Sequence, residues 1–288
     1  MAKKQPGTNL VQFDEELAKQ AQAYRQAEAA SATGNFIGTA AGILSWRGAP
    51  IEGNKMDCIV LTSVFENDYY KDSYDKDNPT PPACYAFATS QDALAPHESA
   101  EDKQGDANGL CAGCWANGFG SAADGGRGKA CQNRRRLAVI PASGKLTAEG
   151  VKTAELAYFR VPVLSVAGFS NHVMQVADLF KRPPFGVVTE LSLVPDAKSQ
   201  FRALFKIKAP IEDREALTAL MARSHDAAAA IQFPYPKAAE LARAPARRQP
   251  ARRPPGTPQS AAKKQPQQRA RDNALPTQRP AASQPRKF

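Results

Sequence analysis

Histidine is scarce: the 288-residue chain has only three, at positions 97, 172 and 225. They lie too far apart in the sequence to indicate a histidine-rich metal centre or a general base. No Gly-x-Ser-x-Gly or His-Glu-x-x-His motif occurs. The glycine-rich run 125–130 lacks the first glycine and the final Ser or Thr of a phosphate-binding loop. We therefore predict that the protein is not an enzyme.

Long apolar runs are also missing. No stretch approaches the roughly 20 apolar residues that a membrane-spanning helix requires. Residues 1–7 contain no apolar core of a signal peptide. We therefore expect a cytoplasmic protein with no membrane partner. In that compartment disulfides are disfavoured.

Acidic residues are almost absent from the C-terminal segment 241–288, which has twelve basic residues and one acid, Asp272. The rest of the chain has 26 basic and 27 acidic residues, so the net charge of +10 comes from this segment. The segment also has nine prolines and, after Leu241, one aliphatic residue larger than alanine. Because it cannot bury enough apolar surface to fold, we predict a disordered basic tail. Such a tail either binds phosphates through counterion release or only solubilises the protein.

Cysteine is the residue whose spacing is most informative. Cys111 and Cys114 form a Cys-x-x-Cys knuckle, with Cys84 and Cys131 on either side. Two thiolates with this spacing can reach one tetrahedral metal from a tight turn. Residues 101–130 contain eight glycines and no sustained apolar period, so bound zinc would supply the folding free energy that packing lacks. We predict one structural zinc held by all four cysteines.

Other uses of these cysteines remain open, namely disulfides, a redox pair or free thiols. A thioredoxin-like pair is disfavoured because Asn117 and Gly118 follow too soon for a helix to begin there. His97 is the one alternative ligand that the sequence offers. The fifth cysteine, Cys58, lies in the apolar run 58–61, and we predict that it is a buried core residue.

Three segments resemble a pattern in bacteriophage-encoded proteins that bind single-stranded DNA in replication or recombination. They are Pro82-Ala83-Cys84, then Cys111-Ala112-Gly113-Cys114-Trp115-Ala116-Asn117-Gly118-Phe119-Gly120-Ser121, and then Gly126-Arg127-Gly128-Lys129-Ala130-Cys131 before a basic run and a strand. The resemblance covers about 35–230 and is concentrated in 82–140. Two positions depart from it: proline is expected where Trp115 stands, and the tip before Phe288 is basic instead of acidic.

The predicted fold is mixed α+β and mainly β. Roughly five to seven short strands flanked by helices indicate a small barrel or β-sandwich. The resemblance implies an OB-like barrel with a zinc-ribbon-like insertion, in a protein of the host bacterial cytoplasm. The predicted organisation is an N-terminal helix within 1–33, an OB-like β domain over 34–240 with the insertion at about 80–135, and the disordered tail 241–288.

Binding of single strands without sequence preference requires a cationic track and aromatic rings on which bases stack. The candidate track residues flank the last cysteine and are Arg127, Lys129, Arg134, Arg135 and Arg136. The candidate rings are Tyr69, Tyr70 and Tyr74 before the insertion, and Trp115 and Phe119 within it. The ordinary alternative for Trp115 and Phe119 is a small apolar core over the zinc.

Two functions of different classes are consistent with the sequence. The first, which we favour, is a non-sequence-specific single-stranded DNA-binding protein of phage replication or recombination, with single-stranded DNA and replication or recombination proteins as partners. The second is a zinc-stapled adaptor or regulator of host transcription or replication proteins, because the part before the tail is slightly acidic. Residues 66–106, with ten acids, are predicted to be a solvated loop. A structural or enzymatic phage component is the remaining alternative.

Overall fold

The structure is a computed structural model that describes residues 35–72, 80–123, 125–142, 144, 146–197 and 199–237, and positions 13, 16, 17, 19 and 20. Those five N-terminal positions are helical. The rest of the predicted N-terminal helix, Tyr74 and the predicted tail 241–288 lie outside the described residues. The chain divides into two compact units, Met1–Ala244 and Pro245–Phe288, and the second contains no described residue.

The part of the chain that the structure describes is mixed α+β and mainly sheet, which confirms the predicted fold class at this level. Its strands are β1 (Phe36–Gly38), β2 (Ser45–Trp46), β3 (Ala49–Pro50), β4 (Lys55–Tyr69), β5 (Cys84–Ala88), β6 (Cys131–Pro141), β7 (Ala157–Val161), β8 (Val187–Asp196) and β9 (Gln200–Pro210). The α-helices for which both ends are defined are α1 (Ala148–Thr153), α2 (Val166–Phe180) and α3 (Arg214–Ala230). None of the described helices is long and apolar enough to cross a membrane.

All the described strands belong to one curled, half-barrel sheet. Its order is β3-β2-β1-β7-β6-β4-β8-β9, with β5 paired to β4 outside this path. The pair β1–β7 is parallel and the other pairs are antiparallel. The long strand β4 lies at the centre, because it pairs with β8 at its beginning, with β5 at its end and with β6 along most of its length.

Side chains that alternate along β4 and β6 build a core on each face of the sheet. On one face, called the α3 face, Ile59, Val64 and Ile140 pack with residues of α1 and α3. On the opposite face, called the α2 face, Val60 and Leu137 pack with residues of β7 and α2. These two cores fix the sheet from which the candidate site is built.

Cys58 is buried in the core of the α2 face, as the sequence predicts. Burial, together with the neighbouring charge of Asp57, raises the pKa of its thiol to about 12. A thiol with this pKa stays protonated near neutral pH, so Cys58 acts as a small apolar side chain.

The end of β4 extends beyond the apolar core and remains a strand to Tyr69. The prediction of a solvated loop from residue 66 onward is therefore wrong at its beginning, because Glu66 and Asp68 are buried. Their pairing with β5 and β6 on either side excludes water from both side chains. Alternation places Glu66 and Asp68 on the α3 face, and Asn67 and Tyr69 on the α2 face.

Candidate metal centre and nucleic-acid interface

Two of the four predicted ligands are fixed by sheet register. Cys84 opens β5 and Cys131 opens β6, and both are paired with Tyr69 at the end of β4. Directly paired residues project to the same face of a sheet, and two strand spacings of about 4.8 Å separate their outer backbones. The two thiols therefore flank the end of β4 on the α2 face.

The other two ligands belong to a knuckle that Asp106 organises. Its carboxylate accepts hydrogen bonds from the backbone N–H groups of Asn108 at 2.8 Å, Leu110 at 2.9 Å and Gly113. A Cβ at Gly113 would lie 2.7 Å from Asp106 Oδ2. Only glycine therefore permits the turn between Cys111 and Cys114 to approach this carboxylate so closely.

All four cysteines line one cavity, together with Asn67, Tyr69, Tyr85, Ala86, Gln104, Ala116 and Asn117. The volume of the cavity is about 10 Å³, which is about the room that one water-sized particle needs. Within the described residues, no three His, Cys, Asp or Glu side chains form a ready coordination group. The thiols thus share one small cavity without a preorganised coordination geometry. The cavity has room for a single ion.

The electrostatics of the cavity favour a cation once the thiols ionise. Burial first, and then the charges of neighbouring thiolates, raise the pKa of Cys111 to about 11. Burial, Asp68 and the other three cysteines raise the pKa of Cys131 to about 12. The pKa of Cys84 is raised by burial and by Cys114, against the effect of a backbone hydrogen bond. Because the thiolates repel one another, a divalent ion would stabilise them and displace their protons.

Two hydrogen-bond donors are placed to stabilise thiolates in this cavity. The backbone N–H of Gln104 donates to Cys84 Sγ at 3.3 Å. Asn67 is 3% exposed, and its Nδ2 has no hydrogen-bond partner among the described residues. A thiolate at Cys111 would accept from this amide, which lowers the pKa of Cys111 against the effect of burial. The residues therefore fit one zinc ion with four thiolate ligands.

His97, the alternative ligand in the sequence, does not line the cavity. Its Nδ1 lies 2.8 Å from Ser99 Oγ, and its ring stacks on Tyr85 with centroids 5.1 Å apart. The side chain is therefore engaged in packing beside the sheet, away from the four thiols.

The predicted arginine run is divided between the two faces of the sheet by strand alternation. Arg136 lies on the α3 face, is 1% exposed, and its Nη2 is 2.6 Å from Glu66 Oε1. Its Nη1 also donates to the carbonyl oxygens of Ile231 at 3.2 Å and Phe233 at 3.0 Å. This arrangement does not support the prediction that Arg136 contacts phosphate, because the side chain is enclosed and both of its terminal nitrogens are paired within the fold.

Residues 231–237, which we call the C-terminal strap, cover this buried charge. Tyr235 donates to Glu66 Oε1 at 2.6 Å, and Arg160 Nε lies 3.3 Å from the same carboxylate. The guanidinium of Arg136 is 4.5 Å from the ring centre of Phe233. Despite its burial, the charges of Arg160 and Arg136 keep the pKa of Glu66 below its usual value. The strap is therefore held on the sheet by one buried ion-pair cluster.

Asp68 is the second buried carboxylate on the α3 face. The charge of its neighbour Arg134 compensates only in part for its burial. Arg134 Nε lies 3.1 Å from Asp68 Oδ1 and forms an ion pair with it. Neither of these two atoms forms a hydrogen bond with any described residue. Burial, together with the charge of Glu66, raises the pKa of Asp68 to about 6 in spite of Arg134. Arg134 is thus bound to Asp68 and to Gln132, and it is a weak candidate for DNA contact.

We expect Asp68→Asn to stabilise the protein more at about pH 8 than at about pH 5. The folded-state pKa of Asp68 lies above the unfolded value of about 3.9, so protonation of Asp68 favours folding. The contribution of protonated Asp68 to the free energy of unfolding is fully present below the pKa of the unfolded chain. It is lost as the pH rises through about 6, the pKa in the folded protein. Asparagine mimics the protonated form at every pH. Urea unfolding midpoints at both pH values test this, with Asp226→Asn on exposed α3 surface as control. An equal change at both pH values would contradict it.

Arg135 lies on the α2 face, the same face as the cavity. Its guanidinium stacks 3.2 Å from the ring centre of Phe65. Burial lowers the pKa of Arg135, and no carboxylate in the described part of the chain compensates for that burial. Its Nε has no hydrogen-bond partner among those residues. Arg135 is therefore the one member of the run 134–136 whose charge is available to a phosphate.

Two further cations of the predicted track belong to the glycine-rich end of the insertion. Arg127 is exposed. Lys129 lies 4.9 Å from the ring centre of Phe119, and it donates to Asn117 Oδ1 at 3.1 Å and to Asn133 Oδ1 at 3.0 Å. Its ammonium group is therefore held in place by two neutral amide oxygens.

The aromatic residues of the insertion project outward. Phe119 is 86% exposed and Trp115 is 55% exposed, so Phe119 does not form a small core over the cavity. Trp115 packs edge-on against Tyr69 with ring centroids 5.6 Å apart, and its Nε1 donates to Gln104 at 2.8 Å. Tyr70 is partly buried beside Asp68, and burial raises its pKa to about 12. Phe119 and Trp115 are thus the better candidates for base stacking.

No known protein family, curated protein or solved structure matches the chain. What the protein does is therefore inferred from its own residues and their geometry.

Proposed function

We propose that the protein binds single-stranded DNA without sequence preference through the α2 face of its sheet, as part of phage replication or recombination. In this proposal the half-barrel is OB-like, and one zinc held by Cys84, Cys111, Cys114 and Cys131 orders the insertion. Zinc supplies structure there, since four thiolates leave no open coordination position for a reaction. The sequence resemblance of residues 82–140 supports the same proposal.

The observation that carries the proposal is the exposed ring of Phe119 beside the cation of Lys129. A large aromatic side chain that is 86% exposed costs free energy in water. A ring with a cation 4.9 Å from its centre offers a base a stacking surface and its phosphate a charge. Trp115 and Arg127 are further exposed residues of the insertion, and Arg135 lies on the α2 face.

We expect Phe119→Ala to weaken binding of an oligothymidine by about 1–3 kcal/mol, which is the usual contribution of one stacked base. Leu164→Ala is the matched control, because Leu164 is also a large exposed apolar residue but lies outside the insertion. Fluorescence anisotropy with a labelled oligonucleotide would measure both. If both variants bind with the affinity of the natural chain, Phe119 does not contact DNA.

Arg135 provides an independent test through the salt dependence of binding. Loss of one phosphate contact lowers the slope of log affinity against log salt by about 0.7 on single strands. We expect Arg135→Ala to show this reduction for oligonucleotides of any sequence. An unchanged slope would mean that its guanidinium only packs on Phe65.

The adaptor function remains a second candidate, and one feature favours it. The large side chains of Leu164, Met174 and Leu179, in or just before α2, are exposed. Exposed apolar residues of this size are typical of protein contacts when they form a continuous patch. The adaptor hypothesis takes first place if residues 1–240 alone show no affinity for single-stranded DNA.

A further inference from the structure

A hydrogen-bond relay connects the thiol cavity with the exposed ring of Phe119. Lys129 Nζ donates to Asn133 Oδ1 at 3.0 Å, and Asn133 Nδ2 donates to Asn67 Oδ1 at 2.7 Å. Asn67 lines the cavity with the four cysteines. The relay therefore consists of Lys129, Asn133 and Asn67, and it runs along the α2 face from the insertion loop to the metal site.

The ammonium group of Lys129 fixes the direction of every bond in the relay. Lysine can only donate, so Asn133 must present its oxygen to Lys129 and its Nδ2 to Asn67. Asn67 must then present its oxygen to Asn133, which leaves its own Nδ2 directed at the thiols. That Nδ2 is buried and has no hydrogen-bond partner in the described part of the chain. An unsatisfied buried donor is destabilising, and a sulfur acceptor in the cavity would satisfy it.

A second path runs from Lys129 to the same cysteine. Lys129 Nζ also donates to Asn117 Oδ1 at 3.1 Å, and Asn117 Nδ2 donates to the carbonyl oxygen of Cys111 at 2.9 Å. The carbonyl group of Cys111 is thus connected to the ammonium group that lies over Phe119. A change in the position of Cys111 therefore acts on Lys129 through Asn117, and also through Asn67 and Asn133 once the sulfur of Cys111 accepts from Asn67 Nδ2.

We propose that this relay couples metal binding at the four thiols to single-strand binding at Lys129 and Phe119. The proposal rests on the proposed function. Metal binding fixes the position of Cys111, its sulfur then accepts from the amide of Asn67, and Asn67 and Asn133 hold Lys129 where phosphate and base are bound. Coupling between two sites is reciprocal. DNA must therefore tighten the binding of zinc by the same factor by which zinc tightens the binding of DNA.

Because zinc and DNA must change each other's affinity by the same factor, the coupling can be tested by measuring zinc affinity. Zinc affinity is measured on the full chain by competition with a chromogenic chelator, with and without a saturating oligothymidine. We expect the oligonucleotide to raise the zinc affinity of the natural protein by about fivefold or more, the lower range of typical coupling. Asn133→Leu is expected to bind both ligands with no effect of one on the other. Lys129→Met removes a proposed DNA contact, so it should bind the oligothymidine more weakly and should likewise show no coupling. Because Lys129 lies at the outer end of the relay, this variant tests the coupling if Asn133→Leu does not fold.

Asn67 gives a separate readout that does not involve DNA. Loss of an outer hydrogen-bond partner typically reduces metal affinity about 10–100-fold, and we expect this for Asn67→Leu. Asn171→Leu, at an exposed position on α2, is the matched control and should leave zinc affinity unchanged.

The outcomes separate the relay from the function on which it rests. If the natural protein binds zinc and single strands but neither changes the affinity for the other, the coupling is overturned and the proposed function stands. If Asn133→Leu and Lys129→Met keep the full coupling, the two sites are coupled by another route, and the proposed role of the relay is contradicted. If the natural protein binds no zinc or no single-stranded DNA, the proposed function is overturned and the coupling with it.

Discussion

Replacing Cys114 with serine is expected to reduce bound zinc from one equivalent to well below one. The substitution removes one of four thiolates around a cavity whose other thiols resist ionisation, as the raised pKa values of Cys111 and Cys131 indicate. The loss of affinity should exceed the roughly 10–100-fold that loss of an outer hydrogen-bond partner causes. Elemental analysis of protein purified without chelator measures the zinc content.

Cys58→Ala is the matched control for this experiment. Cys58 is equally buried but lies in the core of the α2 face, outside the cavity. We expect this variant to keep its zinc, although its stability falls as a side chain is truncated. In the Cys114→Ser protein, the amides of 80–135 should exchange faster while those of β8 and β9 stay protected, because those strands pack elsewhere. A full equivalent of zinc in the Cys114→Ser protein would contradict the four-thiolate site.

Replacing Arg136 with alanine is expected to lower the free energy of unfolding by about 3–5 kcal/mol, the usual cost of removing one partner of a buried ion pair. Glu66 is fully buried and would lose its closest cation, which lies 2.6 Å away. The carbonyl oxygens of Ile231 and Phe233 would also lose their donor. Urea denaturation followed by circular dichroism gives the free energy directly.

The neighbouring residue Arg135 provides the control for Arg136. It has the same side chain on the same strand but points to the opposite face, where it stacks on Phe65. Its contribution to stability should be about 1 kcal/mol or less, as for other cation–π contacts. The two substitutions should therefore affect different properties. Arg136→Ala should lower the free energy of unfolding, and Arg135→Ala should lower the affinity for DNA. Equal loss of stability in both would contradict the division of the arginine run between the two faces.

The arginine run illustrates which part of the site can be predicted from sequence. Three consecutive arginines read as one cationic patch when the strand that contains them is not recognised. In a strand, successive side chains point to opposite faces, so Arg134 and Arg136 meet the acids of β4 while Arg135 does not. The partners Glu66 and Asp68 lie about seventy residues earlier, and nothing local in the sequence indicates that pairing.

The candidate metal site is likewise only partly predictable from sequence. The Cys-x-x-Cys spacing and the glycines around it identify the four candidate ligands, because ligand type and turn geometry are local properties. Asn67, Gln104 and Asn133 could not be identified, because their role depends on strand register and on the path of a long loop. The run Glu66-Asn67-Asp68-Tyr69 does not alternate apolar with polar residues, so no local signal indicates that the strand continues to Tyr69.

The mainly β fold was predictable because short apolar runs between glycines and prolines indicate strands. The hairpin of β8 and β9 joins neighbouring segments, so its pairing is local in sequence; its turn lies after Asp196, because Pro195 and Asp196 are still paired with β9. The parallel contact of β1 with β7 was not predictable, because it joins segments about 120 residues apart. The C-terminal strap was also missed, since Phe233 and Tyr235 lie among prolines that usually indicate a loop.

The most direct measurement is a titration of the chain shortened to residues 1–240 with single- and double-stranded oligonucleotides of one sequence at low salt. The basic tail binds phosphates of either form, whereas exposed rings such as Phe119 stack only on unpaired bases. The proposed function predicts weaker binding than for the full chain, with a preference for single strands of about tenfold or more, which one stacked base can supply. No measurable affinity of residues 1–240 for single strands would contradict it and leave DNA binding to the tail alone.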